Sequence, residues 1–163
     1  MAWSANDIPD QSGKVAVITG ANSGLGFEAS RELARKGATV VMVVRNMDKG
    51  EAAAVRIKAA VPDAELQLRK MDLGSLDSVK AFAARMNDEH DHIDILINNA
   101  GIMATPAGHT KDGFETQVGT NHFGHFVQTE ELMPLLEAAP AARVVTMTRG
   151  ARVQGQTLTE DRA

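Results

Sequence analysis

The run Val15-Ala16-Val17-Ile18-Thr19-Gly20-Ala21-Asn22-Ser23-Gly24-Leu25-Gly26 decides the fold. Its first residues are β-branched or small and wholly apolar, the pattern of a strand buried on both faces. Glycines at 20, 24 and 26 follow, so the backbone can turn sharply and approach a bound group with no Cβ between them. From Gly24 or Leu25 the chain reads as a helix, whose free N–H groups and positive dipole end face that turn and favour a phosphate. An ordinary packing corner would share the glycine spacing. The strand before and the helix after are what a dinucleotide site adds.

Outward from this corner, strands and helices alternate. Residues 14–19 form the first strand and 25–36 the first helix, with Leu25, Ala29 and Leu33 on one face and Gly37 at its stop. Residues 38–44, apolar but for Thr39, read as a second buried strand, and 47–60 as a helix ended by Pro62. Residues 65–71 alternate polar and apolar, as a strand nearer the sheet edge does. Ser75 stands as the cap of a helix that places Val79, Phe82, Ala83 and Met86 on one face. A fourth strand is expected over 93–97, a loop over 98–111, and a helix over 112–138 with a bend at Gly119 or Gly124. Residues 143–148 make a fifth strand. This order implies βαβ units and an α/β fold, a doubly wound parallel sheet of Rossmann type with five strands in the order 3-2-1-4-5. The chain divides into a polar lead-in (1–12), the dinucleotide-binding domain (13–148) and an irregular polar tail (149–163).

With 163 residues the chain is one domain or a large part of one, long enough to bury ~70% of its unfolded surface without disulfides or metals. It has no cysteine, which excludes disulfides, thiolate metal sites and a cysteine nucleophile, and suits a reducing compartment. A net charge of −4 with no run of Lys or Arg argues against nucleic acid or an anionic membrane as partner. The longest apolar run, 38–44, is too short to span a bilayer, and residues 1–12 do not read as a signal peptide; a cytoplasmic protein is expected. Tyrosine is absent from the chain.

Three further segments stand out: Asp72-Leu73, Asn98-Asn99-Ala100-Gly101, and Thr120-Asn121-His122-Phe123-Gly124-His125-Phe126. Together with Thr19-Gly20-Ala21-Asn22-Ser23-Gly24-Leu25-Gly26, in this order and spacing, they resemble the motifs of the short-chain dehydrogenase/reductase family. The last is similar to its retinol-dehydrogenase-like branch. The resemblance implies a nicotinamide dinucleotide cofactor and hydride exchange with an alcohol or carbonyl, a lipophilic one by that last segment. It assigns Gly20, Asn22, Ser23, Gly24, Leu25 and Gly26 to the phosphate-binding turn, and Asp72 and Leu73 to the adenine. Asn98, Asn99, Ala100 and Gly101 fall to the nicotinamide side. Without the family, Asp72 reads equally as a turn residue ahead of Ser75, and 98–101 as a loop after a strand.

Charge argues the choice of cofactor. Sites preferring NAD place an acidic residue near the end of the second strand to hold the ribose hydroxyls. Val44 stands there instead, followed by Arg45, with Lys49 close behind. A guanidinium suits a 2′-phosphate, so NADP is expected ahead of NAD. The alternative is a solvated Arg45, with Asp48 reaching back to a ribose. His122 and His125, with His109 upstream, lack a carboxylate placed to complete a zinc set, and no metal is expected.

The family's proton chemistry implies an Asn, a Ser, a Tyr and a Lys. Asn121 matches the first. At the Ser position the sequence runs Val144-Val145-Thr146-Met147-Thr148-Arg149-Gly150, so Thr148 replaces the first of a serine pair and Arg149 the catalytic one. One residue along a strand points to the opposite face, which makes Thr148 a poor substitute. The Tyr-x-x-x-Lys motif is missing. The sequence therefore reads as the cofactor-binding front of such a reductase, truncated at its C-terminal end and impaired in catalysis. A nucleotide-binding module without turnover and an inactive fragment are the alternatives. The fifth strand is expected to be a bare sheet edge, and that edge or the helix over 123–136 a surface for a homo-oligomer.

Overall fold

The computed structural model describes residues 4–148. Among these residues, five parallel strands form one sheet in the order β3-β2-β1-β4-β5, as the alternation predicts. They are β1 (Val15–Thr19), β2 (Thr39–Val44), β3 (Leu66–Lys70), β4 (Ile95–Asn98) and β5 (Arg143–Thr146). One row across the sheet runs Leu68, Met42, Ile18, Ile97, Val145. The fourth strand starts later than expected because Ile93 and Asp94 make the approach to it. The Ile93 N–H bonds Leu135 O at 2.9 Å, and the Asp94 carboxylate accepts the Val15 N–H at 2.8 Å.

The pleat sorts the core into two layers. Val17, Val41, Val43 and Leu96 face helix α3 (Leu76–Glu89), through its Val79, Phe82, Ala83 and Met86. Ile18, Val40, Met42 and Val44 face the other way, onto Phe27 and Ala34 of α1 (Gly24–Arg35) and Ala53 and Ile57 of α2 (Met47–Ala60). Fully burying side chains such as Ile18 or Ile57 contributes ~1.5–3 kcal/mol each. The central strands β1 and β2 are thus covered on both faces while the strand ends stay open.

Four expectations are corrected. The buried face of α1 is Gly26, Phe27, Ser30 and Ala34, whereas Ala29 and Leu33 are half-buried and Leu25 is 67% exposed. The helix rolls because Gly26 is pressed onto Gly20 O and Asn99 Nδ2, each 2.5 Å from where a Cβ would stand. Ser75 occupies the N-cap position of α3, but its hydroxyl makes no capping bond; Asp112 Oδ2 accepts the Leu76 N–H instead, at 2.9 Å. The helix expected over 112–138 is divided into α4 (Thr116–Val118), a π-helical segment (Gly119–Phe123), α5 (Gly124–Glu131) and α6 (Met133–Ala138). Glu115 caps α4 by accepting the N–H groups of Gln117 and Val118, both at 2.8 Å, and these bonds hold its carboxyl below the usual range. Pro134 in the first turn of α6 has no N–H to continue the preceding ladder, so the helix breaks at Leu132. The fifth strand ends at Thr146, short of 148, and is exposed along its length. Arg149 and the tail lie outside the described residues.

Candidate cofactor cleft

In an open α/β sheet, ligands bind beyond the carboxyl ends of the strands, where the strand order reverses. Here that place lies between β1 and β4, and a cleft of about 380 Å³ opens there. The turn after β1 contributes Gly20, Asn22, Ser23, Gly24 and Leu25. Arg45 enters after β2, Asp72 and Leu73 after β3, and Asn99, Ala100 and Gly101 after β4. Every cofactor residue expected from the sequence lines this cleft except Gly26, which lies beneath the turn, and Asn98, which stays in β4. Gly20 has φ +67°, and a Cβ on it would come 3.0 Å from the Ala100 Cα, so the turn and the loop after β4 touch backbone to backbone. The cleft also takes in Val43, Met71 and Ile102, which carry no signal of their own in the sequence, and Thr120 of the 120–126 segment, to which the sequence gives no cofactor role.

Thr19, buried at the end of β1, fastens the two loops together. Its Oγ1 accepts the N–H groups of Asn99 and Ala100, both at 2.9 Å, and its carbonyl accepts Asn99 Nδ2 at 2.9 Å. Asn99 therefore packs under the glycine turn as expected, spending its side chain on the turn's backbone. Asn98 differs. Its Nδ2 donates to Thr129 Oγ1 at 3.0 Å, while its buried Oδ1 has no partner among the described residues.

Arg45 is exposed at the cleft wall, and no hydrogen bond or ion pair among the described residues engages its guanidinium. The next residue, Asn46, caps α2 by accepting the Lys49 N–H at 2.9 Å, which fixes the backbone just after Arg45. Asp48, in the first turn of α2, does not line the cleft. Asp72 serves two purposes: it lines the cleft, and its Oδ1 accepts the Gly74 N–H at 3.0 Å to shape the turn before α3.

A second cavity of about 730 Å³ adjoins the first and shares Leu25, Asn99, Ala100, Gly101 and Ile102 with it. Asn121 stands on its wall, in the π-helical segment, and clamps the backbone of Ile102 from both sides. Its Oδ1 accepts the Ile102 N–H and its Nδ2 donates to the Ile102 carbonyl, each at 2.8 Å. Thr148 also lines this cavity, exposed. His122 lines it too, whereas His109 is on an exposed bridge to Glu115 elsewhere. No group of three His, Asp or Glu that could hold a metal exists among the described residues. His125 is buried; its Nε2 lies 2.9 Å from Thr19 Oγ1 and its Nδ1 3.0 Å from the Asn121 carbonyl. Burial holds its pKa below the ordinary value of 6.5, with the Asn121 bond opposing more weakly.

Comparison with known proteins agrees with this geometry. The chain is 47% identical over 144 residues to retinol dehydrogenase 12 of Mus musculus, which covers 88% of this chain and 46% of that protein. It spans about half the length of the curated relatives it matches. Among solved structures, an uncharacterized protein from Mycobacterium Paratuberculosis superposes with a TM-score of 0.73 at 50% identity, over 83% of this chain and 47% of that one. A short chain dehydrogenase structure from Escherichia coli CFT073, complexed with NADPH, superposes with a TM-score of 0.77 at 25% identity, over 89% and 62%. The short chain dehydrogenase family itself matches residues 14–159. By its strand order, its glycine turn and this match, the chain belongs to the short-chain dehydrogenase family, on the side of the retinol dehydrogenases.

Proposed function

We propose that this chain binds NADP(H) in the first cleft, as the nucleotide-binding part of an oxidoreductase acting on an alcohol or carbonyl. The observation that carries the choice of NADP is the Arg45 guanidinium just after β2, unpaired among the described residues, with Val44 in the place of an acid. Asn22, Ser23 and Gly24 border the dipole end of α1, where a diphosphate is favoured, and the contact of Gly20 with Ala100 keeps the turn tight. Asp72 borders the same cleft on the side given to adenine by the resemblance. When bound, the nicotinamide supplies or takes a hydride. A lipophilic substrate in the second cavity is supported by the names of the retinol dehydrogenase relatives and by the exposed Met103, Val118 and Met147 on its wall. Asn121, His122 and Thr148 are among the polar groups that would border it.

A second reading, nucleotide binding without turnover by this chain, is favoured by the absence of tyrosine from its 163 residues. A cytoplasmic location is supported by composition alone. No helix among the described residues is long and apolar enough to cross a membrane. A second copy on the exposed edge of β5 is supported by Val144 and Val145, and size-exclusion chromatography across a concentration series tests it. The functional test is titration of the folded chain with NADPH, followed by NADPH consumption in the presence of retinaldehyde. Binding with consumption supports the oxidoreductase reading. Binding without consumption supports the second, and a folded chain that does not bind NADPH rejects both.

A further inference from the structure

We propose that His125 is a positioning residue: a neutral imidazole, protonated on Nδ1, that ties the Thr19 hydroxyl beneath the glycine turn to the backbone carbonyl of Asn121. The hydrogen-bond inventory forces this assignment from both ends. A hydroxyl oxygen has two lone pairs and one proton. Thr19 Oγ1 already accepts from the N–H groups of Asn99 and Ala100, so its own proton must be donated. The nearer acceptor is His125 Nε2 at 2.9 Å, against 3.4 Å to the Ile97 carbonyl. Nε2 therefore carries a lone pair. At the other end Nδ1 faces the Asn121 carbonyl at 3.0 Å, and a carbonyl only accepts, so Nδ1 carries the hydrogen. An imidazolium would direct a second N–H at an oxygen with no lone pair left.

The consequence is one continuous chain of contacts. The loop after β4 donates to Thr19, Thr19 donates to His125, and His125 donates to Asn121. The Asn121 side chain in turn clamps Ile102, which borders both cavities. The π-helical segment holds the carbonyl end of this chain. There the Gly124 N–H pairs with Gly119 O, and the wider turn departs from regular helical pairing next to a candidate site. The backbone carbonyl of His125 is itself fixed by Thr129 Oγ1 at 2.8 Å. The bearing of His125 on cofactor and substrate rests on the nucleotide reading above; its tautomer does not.

The test is long-range proton–nitrogen NMR on the nucleotide-free, nitrogen-15-labelled chain, with His125→Phe and His125→Asn variants. The expected result is Nδ1 protonated and Nε2 bare, unchanged from about pH 8 to about pH 6. An Nε2–H tautomer, or a proton gained in that range, overturns the proposal whether or not NADPH binds. The variants test positioning. Asn can bond the carbonyl four residues back, as Asn87 Nδ2 does to Ala83 O at 2.9 Å in this chain. His125→Asn is therefore expected to leave the Asn121 and Ile102 amide resonances near their native positions, and His125→Phe to displace them. Equal displacement in the two variants, or none in either, overturns the positioning role.

Discussion

Thr19 and Asn99 are joined twice, by the Asn99 N–H to Thr19 Oγ1 and by Asn99 Nδ2 to the Thr19 carbonyl, each at 2.9 Å. Two motifs far apart in sequence thereby become one surface. The threonine ends β1, the asparagine leaves β4, and these adjacent strands mark the point where the sheet order reverses. The turn that would hold a phosphate and the loop that would flank a nicotinamide share one buried hydroxyl.

Thr19→Val tests this junction. The substitution leaves the N–H groups of Asn99 and Ala100 without their acceptor, and an unsatisfied buried donor costs ~1–3 kcal/mol. Urea unfolding is expected to show a loss of about 2 kcal/mol. NADPH affinity should fall as well, because Ala100 borders the cleft.

Gly26→Ala tests the packing beneath the turn. The added Cβ would stand 2.5 Å from Gly20 O and from Asn99 Nδ2. Overpacking of this kind costs ~1–3 kcal/mol. Since Gly20 O is backbone, relief requires the turn itself to move, so nucleotide binding is expected to weaken more than stability alone accounts for. Denaturation and NADPH titration of the same variant separate the two effects.

Asp72 combines a turn with a cleft wall, and two variants divide them. Asp72→Asn keeps an oxygen for the Gly74 N–H, whereas Asp72→Ala removes it. The alanine variant is expected to lose about 1 kcal/mol in urea unfolding and the asparagine variant much less. An asparagine amide also retains an acceptor for an adenine amino group, so Asp72→Asn should hold NADPH more tightly than Asp72→Ala.

Stability should depend on pH through His125. It is neutral in the folded chain, with its pKa held below 6.5 by burial, but protonates freely when unfolded. The unfolded state therefore takes up more protons as pH falls, and folding stability declines from about pH 6.5 downward. Burial shifts His90 in the same direction, so it contributes to the same slope. The carboxyls held below their usual values, Asp7, Asp10, Glu89 and Glu115, add their loss only at lower pH. Between about pH 7 and about pH 5, the decline in unfolding free energy is expected to be shallower in His125→Phe, with the remainder belonging to His90.

The strand order and the cleft were legible in the sequence because both follow from periodicity and glycine placement. Apolar runs such as Val40–Val44 and the turn at Gly20 allow few alternatives. The roll of α1 is not legible, since Leu25 belongs to the apolar spacing of the helix and only the contact of Gly26 with Gly20 O and with Asn99, from the loop after β4, turns it outward. The long helix divides for local reasons that are legible in part: Pro134 breaks it and Gly119 and Gly124 mark a bend, but residue type does not show that the turn between them is π-helical. Capping of α3 by Asp112 rather than Ser75 depends on a contact across 36 positions, which no local pattern encodes. The link from Thr19 through His125 to Asn121 was hidden for the same reason. In the sequence His125 stands only as a member of the 120–126 segment, with no metal expected, and its two partners appear only in three dimensions.

The most direct measurement is equilibrium titration of the folded chain and of Arg45→Asp with NADPH and with NADH, followed by nicotinamide fluorescence. A charge-assisted contact to the 2′-phosphate predicts that the native chain favours NADPH by ~10- to 100-fold. Arg45→Asp should lose that preference and bind NADH as well or better. Equal affinity for the two nucleotides in the native chain, or a preference for NADPH that survives in Arg45→Asp, would contradict the assignment of Arg45. A folded native chain that binds neither nucleotide would contradict the cofactor cleft itself.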